Sequence, residues 1–143
     1  MKNQLYQQTV LKHNREPRNY GDLDPCSHHA EGFNPLCGDE VKVYMQVEND
    51  EVKEIKFTGK GCAVSQASAS IMTTALVGKK LDEARGQFND FMKMASGEKQ
   101  DPEGEIAAFA GISQFPSRVK CAVLSWQTFN AALEGADNTI STE

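Results

Sequence analysis

Apolar and polar residues alternate most regularly over residues 41–48, a pattern that indicates a strand with one buried face. Asn49 and Asp50 then favour a tight turn, and residues 52–58 provide the returning strand of a hairpin. A weaker pattern over residues 27–33 predicts an earlier strand. These three segments predict a small antiparallel sheet.

After the hairpin the hydrophobic period changes from two residues to about 3.6, which is the period of a helix. The predicted helices cover residues 3–13, 63–76, 81–95 and a final stretch that begins at Pro116 or Ser117 and ends near Leu133. A short apolar segment, residues 106–112, precedes the last helix. Strands followed by helices are typical of an α+β fold, so we expect a three-stranded antiparallel sheet covered by helices.

Length and composition predict one globular domain, because the chain has 143 residues of which 39% are hydrophobic and 24% charged. We assign residues 1–135 to this domain and expect residues 136–143 to form a flexible polar tail. The net charge of −5 argues against nucleic acid or an anionic membrane as the main partner. No apolar run could span a bilayer, and the N-terminal MKNQLYQQTV is too polar for a signal peptide. A cytoplasmic location is therefore expected.

Four cysteines need an explanation in such a compartment, namely Cys26, Cys37, Cys62 and Cys121. Reducing conditions disfavour disulfides, so these thiols are core residues, metal ligands or reactive groups. No Cys-x-x-Cys pair is present, and a zinc ribbon or a thioredoxin-like site is therefore not indicated.

Three of the cysteines lie at the boundaries of predicted elements, where side chains can converge. Cys37 lies in the turn before the hairpin, Cys62 opens a helix after a Gly-Lys-Gly sequence, and Cys121 lies in the first turns of the last helix. The positive end of a helix dipole lowers a thiol pKa and so favours the thiolate, which is the ligand form. Asp39 can add a carboxylate oxygen. Three sulfurs and one oxygen suit tetrahedral zinc and would also suit an iron–sulfur cluster.

Other interpretations of these residues stay open at this point. Each cysteine could be a small buried hydrophobe and Asp39 a turn residue, because the cysteines are widely spaced along the chain. Cys26 with His28 and His29 forms a rival group of the right ligand types, or else a solvated loop. No Ser-His-Asp grouping is visible, since all three histidines precede residue 30.

Local sequence around the cysteines resembles a known family. Residues 34–39 (NPLCGD), 59–68 (GKGCAVSQAS) and 118–122 (RVKCA) resemble the three cysteine motifs of the NifU/IscU family of iron–sulfur cluster assembly proteins. Residues 5–21 are also similar to the N-terminal segment of that family. The resemblance implies a SufE/NifU-like fold.

Within the family the chain is most similar to the SufU branch. It has an extra segment at about residues 97–112, and Lys120 stands before the last cysteine where the scaffold proteins have a histidine. The resemblance implies a zinc site formed by Cys37, Asp39, Cys62 and Cys121. It also implies that the protein accepts sulfur from a pyridoxal-phosphate cysteine desulfurase and passes it to a downstream iron–sulfur scaffold, as a sulfurtransferase-like partner of that enzyme.

The resemblance also leads to a hypothesis about mechanism. Docking on the desulfurase would exchange one zinc ligand for a group of the partner, and the released thiolate, Cys37 rather than Cys121, would take the sulfur as a persulfide. Arg118 could orient the partner or stabilise the charge of the sulfur, or it could be a solvated arginine at a helix start. Two alternatives use the same residues: a scaffold that holds an iron–sulfur cluster, and an interaction module with purely structural zinc.

Overall fold

The chain forms a four-stranded sheet against which several helices pack, in a computed structural model that describes residues 3–98, 102, 104–135 and 139–141. The strands are β1 (His28–Asn34), β2 (Asp39–Glu48), β3 (Glu51–Lys60) and β4 (Thr139–Ser141), in the sheet order β3-β2-β1-β4. The first three strands are antiparallel, and β4 pairs parallel to β1.

The hairpin predicted from the alternating pattern is confirmed. Glu48 pairs with Glu51, so Asn49 and Asp50 alone form the turn, and both have positive φ angles of 53° and 59°. A two-residue turn of this kind needs left-handed backbone at both positions, which asparagine and aspartate tolerate better than most residues. The weakly predicted first strand is also present.

The fourth strand was not indicated by the sequence. It falls inside the predicted tail of residues 136–143, where Thr139–Ser141 instead pair with residues 31–33 of β1. Residues 136–138 and 142–143 of that predicted tail lie outside the described residues. Three residues with no hydrophobic period give no strand pattern, so only the neighbouring strand β1 defines β4.

All four predicted helices are present. They are α1 (Asn3–Arg15), α2 (Ala63–Leu76), α3 (Leu81–Ala95) and α4 (Pro116–Leu133), with two short 3-10 helices, Gly104–Phe109 and Ile112–Gln114, between α3 and α4. Helix α4 packs on β1 and β2, and α2 packs on β3. Helix α1 packs against α2, and α3 packs against α4 and α2. The α+β fold expected from the sequence is confirmed. Among the helices described, none is long and apolar enough to cross a membrane.

Close packing of α4 on the sheet fixes that helix in place. A Cβ atom at Gly32 of β1 would collide with the Thr128 hydroxyl and lie 3.0 Å from a methyl group of Leu124. Trp126 is fully buried and stacks on Phe91 of α3, with 4.3 Å between the ring centroids. Because interiors of this density yield little, a residue on the buried face of α4 cannot move far without disturbing the core.

Helix α2 is buried not only along its predicted apolar face but also on sides that carry small polar residues. Small polar residues line its additional contacts: Ser68 donates a hydrogen bond to the Ala122 carbonyl and accepts one from the indole of Trp126. Serine and alanine occupy little space, which allows α1, α4 and the sheet to approach the same helix. The buried Ser68 hydroxyl thus has a partner for its proton and for its oxygen, as burial favours.

A buried network ties α1 to α2 and to the 3-10 helix Gly104–Phe109. His13 Nδ1 lies 2.7 Å from the Ser70 hydroxyl, and His13 Nε2 lies 2.7 Å from a carboxylate oxygen of Glu105. The Arg18 amide donates to Ser70, so the serine proton can go to Nδ1, while Nε2–H donates to Glu105. This is a Ser-His-Glu arrangement that the sequence did not reveal. Since His13 and Ser70 are fully buried, no substrate reaches it and its role is structural.

This network predicts a pH-dependent contribution to stability. Burial raises the pKa of Glu105, but the hydrogen bonds from His13 and Lys12 and the positive charge of Lys12 outweigh burial and hold that pKa below its ordinary value. A carboxyl whose folded-state pKa lies below its unfolded value stabilises the protein at neutral pH, and this contribution is lost as the pH falls through the folded-state pKa. We therefore expect Glu105→Gln to reduce the free energy of unfolding by about 1 kcal/mol at pH 7, allowing for the partial exposure of the carboxylate.

Urea unfolding across a pH series measures this effect. The difference between Glu105→Gln and the unmodified protein should narrow as the pH falls below the ordinary carboxyl range, whereas Glu54→Gln, on the exposed side of β3, should cause little change at any pH. An equal loss at every pH would contradict the assignment.

Candidate metal centre

The turn between β1 and β2 places two of the predicted ligands next to each other. Cys37 is exposed on this turn, where Gly38 has a φ of +72° that glycine adopts without strain. Asp39 begins β2 and is fully buried, because its side chain points to the helix-covered face as Val41 does. The exposed Cys37 and the buried Asp39 thus lie two residues apart in the chain.

Two other segments donate hydrogen bonds to the Asp39 carboxylate. The backbone N–H of Cys62 donates to Oδ1 at 2.8 Å, and the Asn34 side-chain amide donates to Oδ2 at 3.0 Å. No lysine, arginine or histidine pairs with this carboxylate among the residues that the structure describes. A buried carboxylate without a cation is costly, and the described side chains supply no positive charge to balance Asp39. A bound metal ion would supply that charge.

Gly61 permits the approach of the Cys62 segment to Asp39. Its φ is +147°, and a Cβ atom there would collide with Asp39 Oδ1 and lie 2.8 Å from Asp39 Cα. Both the backbone conformation and the available space therefore require glycine. This gives the glycine before the second cysteine a specific structural reason.

Cys121 completes a tight group of ligand atoms. It lies on the buried side of α4 with 2% of its surface exposed, and its sulfur is 3.4 Å from that of Cys37. One ligand atom each from Cys37, Asp39 and Cys121 lies within 4.8 Å of the others. Two sulfurs bound to one tetrahedral zinc at ~2.3 Å lie about 3.8 Å apart, so the spacing is close to what zinc requires.

Cys62 lies beside this group. It is the N-cap residue of α2, is partly exposed, and its sulfur lies 3.8 Å from Asp39 Oδ2. It is not one of the three residues whose ligand atoms all lie within 4.8 Å of one another, but it contacts the Asp39 carboxylate that belongs to them. The structure thus brings all four predicted ligands to one place.

Burial is the largest influence on the pKa values of Cys62 and Cys121, the two cysteines that lie on helices. Burial raises the pKa of Cys62 despite a backbone N–H from Ser65 that favours the thiolate. The pKa of Cys121 is also raised, first by burial and then by hydrogen bonds with its acidic neighbours Cys62, Asp39 and Cys37. The expectation that the helix ends lower these pKa values is wrong for the centre without a cation. Bound zinc would supply the positive charge that thiolates need here.

The donor set therefore fits a soft divalent cation. The residues Cys37, Asp39, Cys62 and Cys121 would hold zinc with three thiolates and one carboxylate oxygen, which are ligands that zinc binds in proteins. An exposed ligand on a turn and a buried ligand on a packed helix would share the same ion.

The rival group around Cys26 does not form. His28 hydrogen-bonds Ser27 at 2.8 Å, and the residues described contain no second group of three close metal-ligating side chains. Arg118, in contrast, lies near the centre, one helical turn before Cys121. Its guanidinium lies 5.0 Å from the centroid of the Phe115 ring.

Asn34 belongs to the first cysteine motif, but the sequence analysis did not predict that it is part of the site. It is fully buried, pairs with Asp39 across the first hairpin, and its amide lies 3.5 Å from the Cys121 sulfur as well as donating to Asp39. One amide thus contacts two of the predicted ligands. Its position five residues before an aspartate, across a predicted turn, was the only sequence pattern that could have indicated this role.

Comparison with known proteins reveals relatives along most of the chain. Residues 5–122 match the NifU-like N terminal domain. A protein of Bacillus subtilis (strain 168) named zinc-dependent sulfurtransferase SufU is 41% identical over 126 residues, which are 86% of this chain and 85% of that protein. A Thermotoga maritima protein named iron–sulfur cluster assembly scaffold protein IscU is 37% identical over 133 residues, 91% of this chain and 93% of the relative.

A solved structure shares the fold. The crystal structure of a protein from Fervidobacterium islandicum AW-1, assigned as an iron–sulfur cluster assembly scaffold for the SUF system, matches with a TM-score of 0.85 and 32% identity. The match covers 93% of this chain and 99% of that one.

Gly61→Ala tests the geometry of the centre without removing a ligand. The added methyl group would displace Asp39 or the Cys62 segment, so we expect zinc affinity to fall about 10- to 100-fold, as for other changes behind metal ligands. Competition with a chromophoric chelator measures the affinity.

Gly86→Ala is the matched control. Gly86 is exposed within α3 with no atom near its added Cβ, and alanine there should keep zinc affinity and stabilise the helix by about 0.5–1 kcal/mol. Unchanged zinc affinity in Gly61→Ala would refute the role given to this glycine.

Proposed function

Since the chain belongs to the NifU-like N-terminal domain family, we propose that it is a zinc-dependent sulfur acceptor in iron–sulfur cluster assembly. Its membership confirms the resemblance expected from the three cysteine motifs. The partner that supplies sulfur is a pyridoxal-phosphate cysteine desulfurase, and the recipient is a downstream iron–sulfur scaffold. The protein acts in the cytoplasm.

The donor set of the centre supports this function. Cys37, Asp39 and Cys121 meet within 4.8 Å, and Cys62 contacts the same carboxylate. The Bacillus relative, with 41% identity, is named as both zinc-dependent and a sulfurtransferase. When bound, zinc would keep the thiolates ionised while it withdraws part of their charge.

Cys37 is the residue that accepts sulfur in this proposal. Cys37 is an exposed residue on a turn between Pro35 and Gly38, and such a surface turn can move without disturbing the core. The Cys121 sulfur, in contrast, is buried and lies 3.6 Å from the Ser117 carbonyl of its own helix. The exposure of Cys37, next to a partly exposed Cys62 and a buried Asp39 and Cys121, is the observation that carries the proposal.

The chemical step is a thiol–persulfide exchange. The Cys37 thiolate attacks the outer sulfur of the desulfurase persulfide, a new S–S bond forms on Cys37, and the S–S bond of the partner breaks. The partner's cysteine leaves as a thiolate, so charge and electrons balance without an external oxidant. Arg118 is an exposed residue whose guanidinium has no carboxylate partner among the described residues, and in this proposal it stabilises the charge of the transferred sulfur or orients the partner.

A scaffold for an iron–sulfur cluster is the second candidate function. The Thermotoga relative, 37% identical to this chain, is named as a scaffold, and three thiolates also suit a cluster. The scaffold proteins of the family have a histidine before the last cysteine, whereas this chain has Lys120 there. This difference favours the sulfur-acceptor function over the scaffold function. Metal analysis of protein purified without air distinguishes the two, because zinc at one per chain without visible absorbance excludes a resting cluster.

Replacement of single cysteines tests the proposed function. Cys37→Ser, Cys62→Ser and Cys121→Ser should each reduce stimulation of a cysteine desulfurase at least about tenfold, since each removes a zinc ligand or the acceptor. Cys26→Ser, outside the centre, serves as the control and should retain full stimulation. A loss in Cys26→Ser equal to the others would contradict the assignment of the site.

Mapping the transferred sulfur tests the choice of acceptor. After one turnover with desulfurase and cysteine, alkylation and mass spectrometry should find the added sulfur on Cys37, because it is the most exposed of the three predicted cysteine ligands. A persulfide on Cys121 with Cys37 unmodified would overturn this choice and leave the zinc site intact.

A further inference from the structure

The turn between β1 and β2 carries an exposed apolar residue directly before Cys37. Leu36 is 62% exposed, which is the largest value among the large hydrophobic residues that the structure describes. Pro35, which precedes it, is also exposed. Packing within the protein thus leaves most of Leu36 in water.

Leu36 is unusual in its position and not in its exposure. Single exposed leucines are common on protein surfaces and need no explanation by themselves. Leu36, however, is the chain neighbour of Cys37, whose sulfur lies 3.4 Å from that of Cys121. The Cα atoms of adjacent residues are about 3.8 Å apart, so a protein that brings a sulfur atom to Cys37 also reaches Leu36.

The start of α4 forms the neighbouring part of this surface. The Ser117 carbonyl lies 3.6 Å from the Cys121 sulfur, and both Ser117 and Arg118 are exposed. Residues 34–38 and 115–117 contain no charged side chain, and the first charge of α4 is that of Arg118. A partner can therefore cover the turn and the first residues of α4 without burying an unpaired charge there. An apolar centre with a polar rim is the usual composition of a protein interface.

We propose that Leu36 is the apolar anchor with which the protein docks on its sulfur donor, and that the donor receives it in an apolar depression beside the cysteine that carries the persulfide. The proposal rests on the sulfur-accepting function proposed above and adds the contact that brings the two proteins together. A leucine that is withdrawn from water on docking favours the complex through its buried apolar surface. Leu36 is a positioning residue, which places Cys37 opposite the persulfide and takes no part in the exchange itself.

Leu36→Ser tests the anchor, because it removes the apolar side chain and leaves Cys37 and the other predicted ligands unchanged. The measurement is the stimulation of a purified cysteine desulfurase as a function of the concentration of this protein. The half-saturating concentration should rise about tenfold, the equivalent of the apolar surface of one leucine, while stimulation at saturation stays the same. Zinc affinity and the midpoint of thermal unfolding should not change, since most of Leu36 is exposed.

Two further variants serve as controls. Leu36→Met keeps an apolar side chain of similar volume and should restore most of the affinity for the desulfurase. Val77→Ser also removes an exposed apolar side chain, but Val77 lies at the opposite end of α2 from Cys62. The 14 residues of that helix span about 21 Å, so we expect the half-saturating concentration of Val77→Ser to be unchanged.

The outcomes separate this proposal from the function on which it rests. If the unmodified protein stimulates no desulfurase and accepts no sulfur, the proposed function fails and the docking surface fails with it. If it does both, and Leu36→Ser has the same half-saturating concentration, the anchor is wrong while the function stands.

Two other results would also overturn the anchor. A Leu36→Ser variant with lower stimulation at saturation or weaker zinc binding would show that the leucine supports the metal centre instead. Sedimentation velocity tests a second copy of the chain as the occupant. A dimer that is lost in Leu36→Ser, with unchanged half-saturation of the desulfurase, would assign this surface to self-association.

Discussion

The buried carboxylate of Asp39 is the constraint on which the centre depends. A carboxylate withdrawn from water needs donors, and Asp39 obtains them from Asn34, across the first hairpin, and from the backbone of Cys62, more than twenty residues later. Gly61 leaves the space for this approach. One side chain thereby aligns the end of β1, the start of β2 and the start of α2, and the first two cysteine motifs meet because of it.

Helix α4 adds the third cysteine, Cys121, which is held more firmly by its surroundings than Cys37 is. Its contacts with Gly32 and with Ser68 leave Cys121 little freedom, whereas Cys37 lies on an exposed turn. The predicted ligand set thus combines a buried cysteine on a packed helix with an exposed cysteine on a turn. This asymmetry is the physical basis on which we infer that Cys37 receives the sulfur.

The N-terminal helix is held to the rest of the molecule at both ends. Tyr6 packs on Phe109 near its start, and His13 bonds to Glu105 and Ser70 near its end. Phe109 and Glu105 both belong to the segment that, by resemblance, distinguishes SufU-type proteins from the scaffold proteins of the family. This segment therefore helps to position α1, which is a structural role that its sequence does not suggest.

The sequence by itself determined the α+β class, the hairpin turned by Asn49 and Asp50, and the helices of periodic hydrophobicity, because these follow from local conformational preference and repeat. Its motifs also identified the cysteines and Asp39. Strand β4 and the His13–Ser70–Glu105 network required tertiary structure, since short or polar segments acquire their partners only when distant elements meet. Only the folded chain decided which cysteine is exposed and that burial raises the thiol pKa values, because burial and electric field are properties of the assembled core and not of any local stretch of residues.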